Sequence, residues 1–316
     1  MWGTVLAEQM ARPGKGTSVW LWEFHEDKAG HLSAKRAHPH LPGLNLSKAI
    51  HVTANIEEAV RGASYIVIAV PSTHVRKTAR MIRRGLDGPP PCVVNASKGI
   101  EPGTLRTMGQ VLEQEIPGAR AVYTLSGPSF AREVFRGVRT KLVLAGPKSA
   151  AMPWLSRRLN GGVLRVEATQ DRVGVELGGA LKNVMAIGCG ILDGLDGGSN
   201  TKAALIIQGM GEMARIVKAL GGKPETIYGL AGLGDLIATG TSVESRNRFL
   251  GEKLGGGRGL RQALREIPTV VEGIETVHSA LVLARRLGLK APLLSAIWRV
   301  VHAGAAPGEV VKALGF

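Results

Sequence analysis

The sequence predicts an α/β protein: a doubly wound parallel sheet followed by an all-helical domain. Three observations predict it. Short apolar runs alternate with helical segments of about 10 to 15 residues, the pattern of βαβ units. One run, YIVIAV from Tyr65 to Val70, is apolar throughout, as suits a strand buried on both faces of a parallel sheet. From Gln170 to Phe316 only helical periodicity remains, broken by glycine-rich loops. The division falls at residue 168, giving domains 1–168 and 169–316. No internal repeat is found.

The elements follow in order. MWGTVLAEQMARPG reads as a helix, with Gly3 near its start and Pro13-Gly14 at its end. Ser18 to Phe24, SVWLWEF, is a β-branched and aromatic strand carrying an acid, Glu23, at its end. A polar segment turns at Leu41-Pro42-Gly43. Ile56 to Arg61 is a short helix, and Tyr65 to Val70 is a strand that stops at Pro71-Ser72. Val75 to Gly85 is a basic amphipathic helix. Cys92 to Gly99 is a strand ending on Ser97-Lys98-Gly99. Leu105 to Glu115 is a helix. Ala121 to Glu133 runs from strand through a Gly-Pro loop into a helix start. Lys141 to Ala145 and Leu164 to Glu167 close the sheet.

Ligands of open parallel sheets bind beyond the carboxyl ends of the strands. Those ends carry Glu23-Phe24, Pro71-Ser72, Ser97-Lys98-Gly99 and Ser126-Gly127-Pro128-Ser129, which together outline a cleft.

Composition bounds the function. The chain has 316 residues, 44% hydrophobic and 21% charged, enough for a large core and two domains. No uncharged apolar run spans a bilayer and no signal-peptide pattern opens the chain, which favours the cytoplasm. Cys92 and Cys189 lie in apolar settings and read as buried thiols in a reducing compartment; no metal-ligand spacing occurs. The net charge is +15, but the basic residues are scattered, and only five Phe and three Tyr are available to stack on bases. Nucleic acid is therefore disfavoured. A dispersed positive field suits small phosphorylated anions instead.

Two stretches carry chemistry. The first is VELGGALKNVMAIGCG, Val175 to Gly190, a helix with Lys182 and Asn183 side by side between apolar flanks. Gly178, Gly179, Ala180, Ala186 and Gly190 leave one side nearly bare. Each interior glycine costs about 1 kcal/mol against alanine, so close approach of a backbone or ligand is expected there. A desolvated lysine beside it has a lowered pKa and serves as an acid or base. A buried helix whose lysine snorkels to solvent is the bland alternative. The second stretch is Gly229 to Gly251. Asp235 follows a Gly-Leu-Gly turn and Thr239 lies one helical turn on, on the same face. Ser245-Arg246-Asn247-Arg248 then offers guanidinium, amide and hydroxyl donors that match a phosphate. A solvated helix start capped by Asp235 is the alternative.

With these segments in hand the chain resembles the NAD(P)-dependent glycerol-3-phosphate dehydrogenases. The resemblance covers essentially the whole chain and rests on ASKG (Ala96 to Gly99), SGPSFARE (Ser126 to Glu133), GVELGGALKNVMAIG (Gly174 to Gly188), GSNTKAAL (Gly198 to Leu205), GLAGLGDL (Gly229 to Leu236), SRNR (Ser245 to Arg248) and VVEG (Val270 to Gly273). It implies a Rossmann domain joined to a helical domain, usually as a homodimer. It also implies reversible reduction of dihydroxyacetone phosphate by NADH or NADPH to sn-glycerol 3-phosphate, feeding glycerophospholipid synthesis.

Carried over position by position, Lys182 is the acid/base at the carbonyl or alcohol oxygen, and Lys98 is a second cation over that oxygen. Asp235 and Thr239 orient the lysine and the substrate hydroxyls. Ser245, Arg246 and Asn247 hold the substrate phosphate, and Gly127, Ser129 and Asn183 line the substrate side. Met1, Trp2, Gly3, Phe24, Pro71, Lys98, Ala131, Arg246, Val270 and Glu272 belong to the cofactor side, with Trp2 against the pyrophosphate and Val270 and Glu272 over the nicotinamide.

Three departures from the family pattern stand out. The first strand and first two glycines of the G-x-G-x-x-G fingerprint are absent, and Gly3 stands at the third glycine. A start placed downstream at an internal Met is the favoured reading of this. A shortened, non-catalytic relative that keeps only the phosphate site is the competing one. Gln208 stands where an arginine is common, which bears on a dimer or substrate contact. The C-terminus stops at Leu314-Gly315-Phe316, short of the usual basic helix end. The related β-hydroxyacid dehydrogenases are a further alternative, opposed by the Gly-Asp…Ser-Arg-Asn-Arg segment. For the cofactor, Glu23 and Phe24 precede His25 with no Lys or Arg before Lys28. An acid there repels a 2′-phosphate, so NAD is favoured, with His25 leaving room for NADP.

Overall fold

A computed structural model describes residues 1–12, 18–267 and 269–316; Pro13-Gly14, read as the first helix's end, lies outside them. Among the described residues the first half holds α1 (Trp2–Met10), β1 (Val19–Trp22), α2 (Glu26–Lys35), β2 (Ile50–Thr53), α3 (Ile56–Val60), β3 (Tyr65–Ile68), α4 (Val75–Gly85), β4 (Cys92–Asn95), α5 (Met108–Glu115), β5 (Ala121–Ser126), α6 (Ala131–Phe135), β6 (Thr140–Ala145), α7 (Ala151–Leu159) and β7 (Leu164–Thr169). Then come only helices: α8 (Arg172–Gly194), α9 (Gly198–Ala219), α10 (Asp235–Thr241), α11 (Arg246–Gly255), α12 (Leu260–Arg265), α13 (Glu272–Arg286), α14 (Pro292–Ala303) and α15 (Glu309–Lys312), with short wider and tighter helical turns before α10.

The strands form a β1-β2 pair and a sheet ordered β3-β4-β5-β6-β7. Successive residues of a strand face opposite layers. Cys92 and Val94 of β4 enter the core with α1 and α7, whereas Val93 enters the one with α3, α4 and α5. That is double winding. The sheet is not wholly parallel, because β6 runs antiparallel to β5. The reason is the length of α6. At five residues it is about 7.5 Å long, too short to carry the chain back across the sheet, so β6 re-enters from the end where β5 left.

Three elements were not expected from the sequence: α2, β2 and α7. Helix α5 begins at Met108, not Leu105. Leu105 has φ of 59° and ends the Thr104-Leu105 turn before it, and a Thr107–Gln110 capping box starts the helix.

Helix α8 is the axis of the second half. Its 23 residues are long and apolar enough to cross a membrane, which the sequence reading did not expect, yet the apolar stretch is wholly buried inside the fold. Glycines explain how. A Cβ on Gly190 or Gly194 would strike the backbone of α11 at Arg248 or Glu252, and one on Gly251 or Gly255 of α11 would strike Ile187 or Ile191 of α8. The two helices therefore touch backbone to backbone through a seam bare on both sides. Gln208 donates to the Ala313 carbonyl at 2.8 Å, tying α9 to the end of α15 and pointing at no site residue.

Candidate active site

The cleft lies where the carboxyl ends of β3, β4 and β5 meet α8 and α10. Helix α8 presents Lys182 from its middle, only 5% exposed. Helix α10 starts at Asp235 because a wide turn precedes it: the Gly234 N–H donates to the Gly229 carbonyl five residues back at 3.1 Å. Gly178 of α8 lets the backbone of Ala231 come within 3.3 Å of where its Cβ would stand, so the turn sits directly on α8.

Asp235 is shared between two lysines. Its Oδ1 lies 3.0 Å from Lys182 Nζ and its Oδ2 2.6 Å from Lys98 Nζ. Lys182 Nζ also donates to Thr239 Oγ1 at 2.6 Å, and the Thr239 hydroxyl donates to Asp235 Oδ1 at 3.2 Å. Lys98 reaches in from the loop after β4 and donates to the Gly127 carbonyl at 3.0 Å. Burial lowers the Lys182 ammonium to about 8, aided by Lys98 and opposed by Asp235. Burial pushes the Asp235 carboxyl up, but Lys182 and Lys98 overcome it and hold the group below the usual carboxylate range.

A chain of amides leads away from this cluster. Asn247 Nδ2 donates to Asn183 Oδ1 at 2.9 Å, and Asn247 Oδ1 accepts from the Gly273 N–H at 3.0 Å. Asn247 thus ties α11 to α8 and to the start of α13, and its second amide hydrogen has no partner among the described residues. Arg246 is exposed at the mouth, and its NH1 donates to Thr269 Oγ1 at 3.1 Å and to the Val270 carbonyl at 2.7 Å. Ser245 is the N-cap of α11, where its hydroxyl accepts from the Arg248 N–H. Arg248 itself turns away to Asp193. Burial raises the Glu272 carboxyl, against the pull of Arg246, Lys98 and Lys182.

The structure therefore brings Lys98, Lys182, Asp235, Thr239 and Gly127 into one centre, and joins Asn183, Asn247, Arg246 and Glu272 to it. Ser129 stays on its own loop, donating to the Gly127 carbonyl. Ala131 opens α6 beside it, and Pro71 opens the turn after β3. Met1 lies in the field of Glu23 and Arg246. Phe24 and Val270 are half-exposed, at 49% and 51%.

Two residues were given no role of their own by the sequence reading. Ser126 is buried at the end of β5, and its hydroxyl has no partner among the described residues. A Cβ on Gly179 would lie 2.7 Å from that hydroxyl and 3.5 Å from Lys98 Cγ, so the glycine keeps this corner open. A serine before a glycine at a strand's end was visible, but its orphaned hydroxyl was not. Lys77 is the other, on α4 with its Nζ 4.8 Å from the Phe24 ring centroid.

The charged and hydroxyl side chains at this cleft match the chemistry of a nicotinamide dinucleotide and an oxygen-bearing substrate. Gly99 has no side chain where a Cβ would fall 2.5 Å from Ser72, so the turn after β3 packs directly on the loop after β4. Phe24 offers a ring at one end, and the Lys98 stem passes the corner that holds the Ser126 hydroxyl at the other.

Comparison with known proteins places this geometry. The families described as NAD-dependent glycerol-3-phosphate dehydrogenase N-terminus and C-terminus match residues 1–152 and 171–312. A glycerol-3-phosphate dehydrogenase [NAD(P)+] of Geobacter sulfurreducens is 43% identical over 308 residues, covering 95% of this chain and 90% of that protein. One from Moorella thermoacetica is 42% identical over 314 residues, covering 99% and 92%. The crystal structure of a glycerol-3-phosphate dehydrogenase from Coxiella burnetii superposes with TM-score 0.93 at 35% identity, covering 99% of this chain and 95% of that one. The chain belongs to the NAD-dependent glycerol-3-phosphate dehydrogenase family.

Proposed function

We infer that this chain is an NAD(P)-dependent glycerol-3-phosphate dehydrogenase that reversibly reduces dihydroxyacetone phosphate to sn-glycerol 3-phosphate. The observation that carries the reading is the Lys98–Asp235–Lys182 bridge, with both ammonium groups facing one cleft. A nicotinamide held in this cleft would supply the hydride. As the carbonyl carbon receives it, negative charge grows on the oxygen, and Lys182 gives that oxygen a proton. Lys98 holds a second positive charge beside it, where preorganised donors act most strongly on developing charge. Asp235 and Thr239 aim the Lys182 amine. In the reverse direction neutral Lys182 accepts the alcohol proton.

Arg246, with the free hydrogen of Asn247, is placed to take the substrate phosphate, and Ser126 is placed to meet a substrate oxygen near Lys98. Glu272 and Val270 cover the nicotinamide, with Phe24 at the adenine. Two domains, 1–168 and 169–316, are assigned accordingly. A homodimer, a place in the cytoplasm and a role in glycerophospholipid synthesis complete the reading. The test is NADH consumption by the purified chain with dihydroxyacetone phosphate as acceptor. Turnover of that substrate and not of 3-oxo acids supports the assignment. Preference for 3-oxo acids overturns it in favour of the β-hydroxyacid class.

A further inference from the structure

The strand-end acid that argues for NAD is not alone at that edge. Beyond β1 the backbone runs through Glu23, Phe24 and His25 into α2, whose first turn holds Glu26 and Asp27 with Lys28 after them. The Glu23 carboxylate accepts from the His25 backbone N–H at 3.2 Å and is thereby turned into its own loop. Phe24 is flanked. The His25 ring meets it edge-on, with centroids 5.2 Å apart. Lys77 arrives from α4 with its Nζ 4.8 Å from the ring centroid. Its helix neighbours Arg76 and Arg80 are committed to Glu101 and Glu115. No ion pair holds Lys77 among the described residues.

We propose that Lys77, carried over the Phe24 ring by α4, is the cation that receives the 2′-phosphate of NADP and so lets this chain use NADPH as well as NADH. The proposal rests on the cofactor reading above. A cation–π contact at an exposed ring is weak, so the ammonium passes to a phosphate at little cost. An ammonium on a flexible stem serves as a point charge for phosphate, without the fixed fork of arginine. It arrives from a helix later in the chain, so the strand end needs no basic residue of its own. With NADH, Lys77 keeps its place over the ring. With NADPH, it offsets Glu23, Glu26 and Asp27.

The experiment is calorimetric titration of the full chain and of Lys77→Ala with two probes, adenosine 2′,5′-bisphosphate and adenosine 5′-monophosphate. The bisphosphate is expected to bind the variant about tenfold more weakly, the size of one charge-assisted contact, while the monophosphate shifts less than about twofold. The bisphosphate affinity should also fall more steeply with salt in the unaltered chain than in the variant. Lys77→Arg should restore it. Equal losses for both probes make Lys77 a support for the ring and overturn the proposal, as does no loss for either. If the unaltered chain binds neither probe, the cofactor reading itself fails and the proposal with it.

Discussion

The two ends of the cleft are built on opposite terms. At the chemical end Lys182, Asp235 and Thr239 are buried, and each polar atom of the cluster meets another at 2.6 to 3.2 Å. At the end assigned to the adenine, Phe24, His25 and Lys77 lie at the surface, held by ring contacts. Low dielectric makes the first end strong and intolerant of change, because every lost partner leaves a buried charge. Water surrounds the second, so its contacts are individually weak and exchangeable. A dehydrogenase of this design keeps its proton chemistry rigid and its cofactor choice adjustable.

Removing Lys182 tests the rigid end most severely. Lys182→Ala is expected to lower kcat by about 10⁴-fold, the upper range for a general acid, while leaving adenosine 5′-monophosphate affinity within about twofold. Steady-state kinetics and the titration above measure the two. Survival of turnover would assign the proton to another group. The unaltered enzyme should also titrate with the same residue. Reduction needs the ammonium form, which is held below a pKa of about 8. Its rate should be level below that pH and fall above it, and oxidation should rise through the same point.

Asp235→Asn is the next largest. It keeps the shape and removes the charge that raises Lys182. Turnover should fall about 10²- to 10³-fold, as for loss of one preorganised electrostatic group. The alkaline limb of the reduction profile should move to lower pH, because Lys182 then keeps burial and Lys98 against it and loses its main support. A loss of rate with an unmoved profile would make Asp235 a purely structural group.

The same contrast decides what could be read from the sequence. Lys182, Asn183, Asp235 and Thr239 stood out as polar residues among glycines, but a snorkelling lysine and a capped helix start explained them as well, and their roles came from the family resemblance. The glycine seam was half legible: the bare side of α8 was visible, but not that α11 answers it with Gly251 and Gly255. Lys77 was not legible, since its partner Phe24 comes from a different βα unit and nothing in a surface lysine marks it. The antiparallel β6 escaped for a similar reason. Strand direction depended on how short α6 proved to be, and the Gly-Pro loop hid its ends. Short amphipathic pieces such as β2 and α7 carry too few residues for a period to emerge.

Two glycines sharpen the comparison through stability. A Cβ on Gly190 has no room, because the Arg248 carbonyl of α11 occupies the space. Gly190→Ala should destabilise the fold by about 1–3 kcal/mol, as overpacking does, and raise the KM for dihydroxyacetone phosphate by pulling Asn247 away from Asn183. Gly30, in α2 near the adenine end, has nothing within 4 Å of its Cβ position. Gly30→Ala should instead stabilise by about 0.5–1 kcal/mol, the helix-interior difference between the two residues. Thermal melts of both variants provide the check. Equal effects would mean that the seam is not tight.

The smallest effect expected is at Ser245, where the phosphate side begins. Its hydroxyl accepts from the Arg248 N–H at 3.2 Å and caps α11. That bond satisfies one of the free amides of the first turn, the turn that carries Arg246 and Asn247. Ser245→Ala removes it and should cost about 1 kcal/mol of stability by chemical denaturation. The functional consequence differs from that of losing Lys182. A frayed first turn moves Arg246 and Asn247, which are assigned to the phosphate, and leaves the lysine–aspartate centre in place. The KM for dihydroxyacetone phosphate should therefore rise several-fold with kcat nearly level. Ser245→Asp, which also caps helices well, should recover the stability but not the KM, because its charge repels the phosphate. If the alanine variant lowers kcat and spares KM, Ser245 belongs to the chemical end, and the boundary between the two regimes lies further out along α11.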